Sequence, residues 1–225
     1  MRRGENTIEA APADACWNGV YSKGEREMTN SYGLDEFVSE VRANIAKQHS
    51  PPAVLEALTP GFERMLANPT FLRQKVEEIE THSDEVCLHA EPDDGFVVLA
   101  RGVSQKQTYQ GISHAVVPHD HGPLWALYGV YEGSSNLQRW EPDVSEQSGP
   151  FPGLRLVSER PASAGEFDAV EPHNMHLPMH TPGAGTIIIV VYDKPLVSVV
   201  RRGYVASAKT TVDFQGTFPP LELPA

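Results

Sequence analysis

The sequence predicts a mainly β domain behind a short helical segment, and three observations carry that expectation. Between Leu34 and about residue 83, apolar residues recur with a helical period. After Asp84 the texture changes to short β-rich runs separated by Gly, Pro and Asn turns, the mark of a sandwich or barrel. Within this second part, His119 and His121 alternate across Asp120. On a strand, residues i and i+2 point to one face, so both imidazoles enter one space while Asp120 points away.

The 225 residues suffice for one domain with an appendage. Residues 1–30 are polar, rich in small residues and without a period, and read as a loose tail. Within it, Met28 is an alternative translation start. Residues 31–83 form the helical preface. Leu34, Phe37, Val38, Val41 and Ile45 make an amphipathic stripe that ends at Ser50-Pro51-Pro52. A short second helix is expected over 51–58, with Val54, Leu55 and Leu58 inward, broken by Pro60-Gly61, after which Phe62, Met65 and Leu66 can continue a turn or two. Asn68-Pro69 reads as the cap of a third helix carrying Phe71, Leu72, Val76 and Ile79.

Residues 84–225 form the β domain. Strands are expected over 86–89, 96–100, 112–117, 124–131, 154–158, 187–192, 198–200 and 206–212. Pro92-Asp93-Asp94-Gly95 is a turn signal, and 141–153 is a polar Pro/Gly loop between two groups of strands.

The formal charge is −12, with no basic stripe beyond short pairs such as Arg201-Arg202. That argues against a nucleic-acid partner and against docking on an anionic membrane. No apolar run approaches the length of a bilayer span, and the N-terminus has no apolar signal core. The two cysteines, Cys16 and Cys87, form neither a CxxC motif nor a disulfide framework. A cytoplasmic protein is expected.

His-Asp-His alone is also what a polar surface turn looks like. A second group follows about fifty residues later, Pro172-His173-Asn174-Met175-His176, with His180 beyond it. Two imidazoles from one segment and one from a later strand would make a facial site of three nitrogens. Its remaining positions would stay open to water, substrate or dioxygen. His49, His82, His89 and His114 are read as surface or packing residues.

These motifs resemble those of the cupin superfamily, the double-stranded β-helix. HxH at 119–121 is followed by four residues, then Ala126, six more and Gly133. That is the spacing of the first cupin motif, with Ala126 in place of its glutamate and Gly111 two residues early for its first glycine. The second motif, a proline with a histidine four residues on, falls on Pro172 and His176. The resemblance implies His119, His121 and His176 as metal ligands, with His173 and His180 as competitors for the third place.

A three-histidine cupin without the carboxylate resembles the thiol dioxygenases, which act on cysteine, 3-mercaptopropionate or 2-aminoethanethiol. The resemblance covers about residues 84–212. It implies Fe(II), with Mn, Ni or Zn as other candidates, a small thiol and dioxygen as substrates, and Tyr192 as a tyrosine near the metal. Two features depart from that family. The late strand reads Ile188-Ile189-Val190-Val191-Tyr192, without the usual serine and histidine before the tyrosine. The early-strand arginine that holds a carboxylate falls on Val86 or Cys87. Arg101 could replace it only by pointing into the barrel, so an aminothiol, or a substrate held differently, is the more open expectation. Trp125 and Tyr128 are candidates for lining the cavity or for core packing. Two other functions fit the same residues. One is a cupin isomerase, decarboxylase or carbon-cleaving dioxygenase; the other is a non-enzymatic small-molecule-binding module.

Overall fold

A computed structural model describes residues 32–72, 85–93, 95–103, 117–143, 145, 153–180, 185–205 and 209–215. Two helices precede ten strands: α1 (Leu34–Lys47), α2 (Pro51–Leu66), β1 (Glu85–Ala90), β2 (Val97–Val103), β3 (Ala126–Glu132), β4 (Ser134–Asp143), β5 (Gly153–Ser163), β6 (Phe167–Val170), β7 (Met175–His180), β8 (Thr186–Tyr192), β9 (Val200–Val205) and β10 (Thr210–Gln215).

Helix α1 is set by its stripe. Phe37, Val38 and Val41 are buried, and Glu36 reaches back to accept a hydrogen bond from the Gly33 N–H at 3.0 Å. Ile45, expected in the stripe, is 37% exposed at the last turn. Helix α2 departs from expectation: it does not stop at Leu58 but runs through Pro60 and Gly61 to Leu66. Val54, Leu55, Leu58, Phe62, Met65 and Leu66 keep one helical face and are all buried. Each buried side chain of this size stabilises by about 1.5–3 kcal/mol, which outweighs the roughly 3 kcal/mol cost of an interior proline. After α2, the Asn68 side-chain oxygen accepts from the Thr70 N–H at 3.0 Å; of the third helix expected there, only Phe71 and Leu72 fall within the described residues. Val76 and Ile79 lie outside the described residues.

One sheet has the order β1-β2-β8-β3-β6 and a second the order β5-β4-β7, with antiparallel neighbours throughout. The segment around His119 bridges β7 at His176 and β9 at Gly203, and β9 pairs with β10. The second sheet therefore continues as β5-β4-β7, the His119 segment, β9 and β10. From β2 to β8 the chain alternates between the sheets so that β2, β8, β3 and β6 face the His119 segment, β7, β4 and β5. That winding is the cupin double-stranded β-helix.

Strand β8 shows how the first sheet is used on both faces. All seven residues of TIIIVVY are buried. Ile187, Ile189 and Val191 join the core formed with α1 and α2, whereas Ile188, Val190 and Tyr192 face the space between the sheets. Gly129 lets α2 approach β3, since a Cβ there would lie 2.5 Å from the Leu66 side chain and 2.8 Å from that of Phe62.

Strands β4, β6 and β7 were not expected, and the expected strand over 198–200 begins at Val200 after a short 3-10 turn. Expected strand 112–117 lies outside the described residues except for Val117. The region 141–153, read as a link between groups of strands, joins two hydrogen-bonded neighbours instead: β4 extends to Asp143 and β5 begins at Gly153. Cys87 on β1 is not a free thiol. Cys16 lies outside the described residues, so the cytoplasmic expectation drawn from the two cysteines is not carried further. Among the described residues no helix is long and apolar enough to cross a membrane.

Candidate metal centre

The His119 segment and β7 meet edge to edge. The His119 N–H donates to the His176 carbonyl and the His176 N–H to the His119 carbonyl, each at 3.0 Å. The segment is braced from the other side by the Asp120 carboxylate. It accepts from the backbone N–H groups of Gly122 and Arg202, both at 2.9 Å. Asp120 points away from the imidazoles, as the strand period requires. Gly122 turns the chain with φ +58°, and a Cβ there would lie 2.5 Å from the Val200 carbonyl oxygen. Only glycine fits.

Three imidazoles converge as a result. One ring nitrogen from each of His119, His121 and His176 lies within 4.8 Å of the others. The rings of His119 and His121 are 4.9 and 4.8 Å from that of His176. His121 and His176 are 1% and 3% exposed; His119 is partly exposed. The Nδ1–H of His119 donates to the Val117 carbonyl at 3.1 Å, which leaves its Nε2 lone pair available.

The Nε2 atoms of His121 and His176 are 3.2 Å apart. Two nitrogens about 2.1 Å from one metal, at an angle near 100°, would be separated by about 3.2 Å. The Nδ1 of His121 is buried with no hydrogen-bond partner among the described residues, so nothing there dictates a competing tautomer. The donor set, three nitrogens with no carboxylate in the cluster, suits a divalent transition metal. Ala126, at the position of the cupin glutamate, is fully buried on β3 and offers no ligand atom.

The electrostatics agree with metal binding. Burial lowers the His176 imidazole to about 3, with Arg139 and Arg201 adding to the effect. Burial also holds His119 and His121 well below the usual histidine range, reinforced by the neighbouring rings, Arg201 and Arg101. Imidazoles kept neutral need not lose a proton before they ligate.

Tyr192 is 2% exposed, and its ring stands at 90° to that of His121 with centroids 5.1 Å apart. Tyr128 lies 5.9 Å from His176, and burial pushes its phenol well above the ordinary range. Trp125 takes the other face of β3 and belongs to the helix-side core, so it does not line this space. Of the competitors for the third ligand, His173 is not in the cluster, and the side chain of His180 lies outside the described residues. His173 is exposed at a turn with φ 62°, and the backbone of His180 lies at the end of β7. His89 packs on Phe96 and contacts Glu91 at 3.0 Å, and His49 is exposed. His82 and His114 lie outside the described residues.

The strand register also supplies what the sequence left conditional. Val97 and Leu99 pack between the sheets, while Val98 and Ala100 face the helices. Arg101 continues the first set and is the register partner of the inward-facing Ile188, so its side chain enters the barrel. Its positive charge bears on His119, His121 and Tyr128. Arg201 was missed as a site residue because it was read as half of a small basic pair. It is 7% exposed, lies two residues from the Gly203 partner of His119, and stacks 4.5 Å from the Phe214 ring centroid.

Fold and site together define a class: a cupin-type double-stranded β-helix with a candidate three-histidine metal site. No protein-family model matches the sequence, and no curated protein matches it. Solved structures overlap it in part. Recombinant oxalate oxidase in complex with glycolate has 13% identity and a TM-score of 0.34, covering 52% of this chain and 54% of that one. KdgF from Halomonas sp. has 12% identity and a TM-score of 0.32, covering 51% of this chain and 84% of that one. Peruvianin-I, a cysteine peptidase from Thevetia peruviana latex, has 9% identity and a TM-score of 0.29, covering 44% and 51%. The chain thus spans about half the length of the oxalate oxidase it overlaps. The fold assignment rests on the strand order.

Proposed function

We propose that this chain is a non-heme metal oxygenase of the thiol dioxygenase type, with Fe(II) held by His119, His121 and His176. The observation that carries the reading is the convergence of three imidazoles, two of them buried and one partly exposed, with no carboxylate among them. Three neutral ligands leave a divalent metal its full charge, which favours an anionic thiolate and the loss of the thiol proton. Bound iron would supply the redox chemistry that adds both atoms of dioxygen to sulfur, RSH + O2 → RSO2H.

The protein's own contribution is placement and exclusion of water. The backbone pair between His119 and His176 fixes the two ligand segments against each other, and the Asp120 carboxylate stops the HxH segment from turning. Tyr192, packed against His121, is assigned to hydrogen-bond the substrate beside the metal. Val97, Val190 and Ala126 close that end with apolar surface.

The test is oxygen uptake by protein reconstituted anaerobically with Fe(II), screened against small thiols. Thiol-dependent uptake with a sulfinic acid product is expected. Turnover of a sugar or keto acid without oxygen would instead favour another cupin metalloenzyme. Binding of small molecules with no turnover would favour a binding module.

A further inference from the structure

We propose that Arg139 and Asp168 are positioning residues for the metal centre: their ion pair crosses from one sheet to the other beside His176, steadies that ligand, and offsets a guanidinium charge that would otherwise stand uncompensated near a divalent metal. The inference deepens the proposed function and rests on its three-histidine metal reading, not on the identity of the substrate.

Register places Arg139 next to the third ligand. His176 and Arg139 are partners across β7 and β4. The backbone N–H and C=O of His176 are both taken by His119. In the β4–β7 ladder this is therefore a non-hydrogen-bonded pair, the kind in which Cα atoms approach to about 4.5 Å and side chains lie closest. Arg139 shares the inner face of β4 with Leu137, which packs in the core between the sheets.

Arg139 then leaves its own sheet. Its Nη2 donates to the Asp168 carboxylate and, at 2.9 Å, to the Ala169 carbonyl. Both acceptors belong to β6, at the end of the first sheet's strand order. Asp168 is 7% exposed and turns toward the space between the sheets. Val170 shares its face and lies in the inter-sheet core, whereas Phe167 and Ala169 pack on the helix side. Asp168 is the register partner of Tyr128, whose ring lies back against His176 with centroids 5.9 Å apart. His176, Arg139, Asp168 and Tyr128 thus form a circuit of neighbours from four strands, two in each sheet. The third ligand is tied to both sheets.

An apolar pair would join two sheets as well, without the desolvation cost of burying the Asp168 carboxylate. What the ion pair adds is direction and charge. The two N–H groups of one planar guanidinium nitrogen point to fixed acceptors, which a rotating ammonium cannot reproduce. The three imidazoles bring no negative charge. The Arg139 charge acts against a proton on His176, and it would act the same way against a metal ion. Asp168 offsets that charge. Arg139 is half exposed, so water can hydrate its guanidinium once the carboxylate is removed, and loss of the pair leaves the barrel folded.

A second arginine on the same edge provides the control. Arg160 of β5 donates to the Phe167 carbonyl and lies 3.5 Å from Glu166. It joins the same two edges but is the register partner of Leu137, not of a ligand.

The test uses full-length protein. Co(II) is one probe, because its visible spectrum reports ligand geometry; zinc affinity, from competition with a chromophoric chelator, is the other. Asp168→Asn should weaken zinc binding by at least about ten-fold and shift the Co(II) bands. Arg139→Lys, which keeps the charge but not the two fixed donors, should shift the bands by a smaller amount. Arg160→Gln should leave both readouts at wild-type values. Wild-type zinc affinity and an unshifted spectrum in Asp168→Asn would overturn the inference. So would equal changes in Arg160→Gln, which would reduce the pair to packing along the seam. Should Asp168→Asn not fold, Arg139→Lys decides alone, and an unshifted spectrum there overturns the inference. Failure of the metal reading looks different: the wild-type protein would take up neither metal, or His176→Ala would keep it, and the inference would fall with it.

Discussion

At the residue scale the site depends on three neutral imidazoles and on what stands against them. Tyr192 is packed edge-on to His121, and its proposed hydrogen bond to substrate gives it an effect on rate without a part in holding the metal. Tyr192→Phe should leave metal content intact and slow turnover by roughly ten-fold; an unchanged rate would reduce Tyr192 to a packing residue. Asp193, next in the chain, shows burial acting on a carboxyl. Its pKa is raised to about 6, chiefly by burial, and its Oδ1 is buried with no partner among the described residues. An unfolded aspartate titrates near 3.9. Because the folded value is the higher, the folded chain holds the proton more tightly, and stability falls as pH rises through the window from about 4 to about 6. With the group only partly buried, solvent screening reduces the loss to on the order of 1 kcal/mol. Asp193→Asn should therefore raise the denaturation midpoint at pH 7.5 and change it little at pH 4. The same gain at both pH values would contradict this assignment.

At the element scale, legibility followed burial on two faces. Strand β8 was plain in the sequence because both its faces are covered and it reads as one apolar run. Strand β7 was hidden because MHLPMH contains a proline and two histidines. The structure shows why the proline is tolerated. His176 gives both backbone groups to His119, so Pro178, two residues on, directs its missing N–H to that same side and away from β4. Strand β4 was hidden for another reason: its buried positions include Ser135 and Gln138, which a search for apolar alternation passes over. Helix α2 was cut short because Pro60-Gly61 is a strong local breaker, and packing of Phe62, Met65 and Leu66 overrode it. That packing needs Gly129. Gly129→Ala should cost about 1–3 kcal/mol in chemical denaturation by pushing on Leu66 and Phe62; a neutral substitution would mean that α2 is free to shift.

At the scale of the whole molecule, the winding brings together segments more than fifty residues apart. The HxH spacing made His119 and His121 legible as a pair, and the resemblance to the second cupin motif at Pro172 and His176 singled out the third histidine. Arg101 and Arg201 could not be placed that way, since the face each occupies depends on strand register. A site formed only in the folded chain links metal to stability. Zinc or Fe(II) at about 100 times its dissociation constant should stabilise the fold by about 2.7 kcal/mol. The rise in Tm should vanish with a chelator, and its absence would mean that the metal does not bind the native state. The most direct test is elemental analysis of the wild-type protein and of His119→Ala, His121→Ala, His176→Ala and His173→Ala, each reconstituted with Fe(II). The wild type and His173→Ala should hold one metal ion per chain, and the other three should lose most of it. Full metal in His176→Ala, or its loss in His173→Ala, would contradict the three-histidine centre.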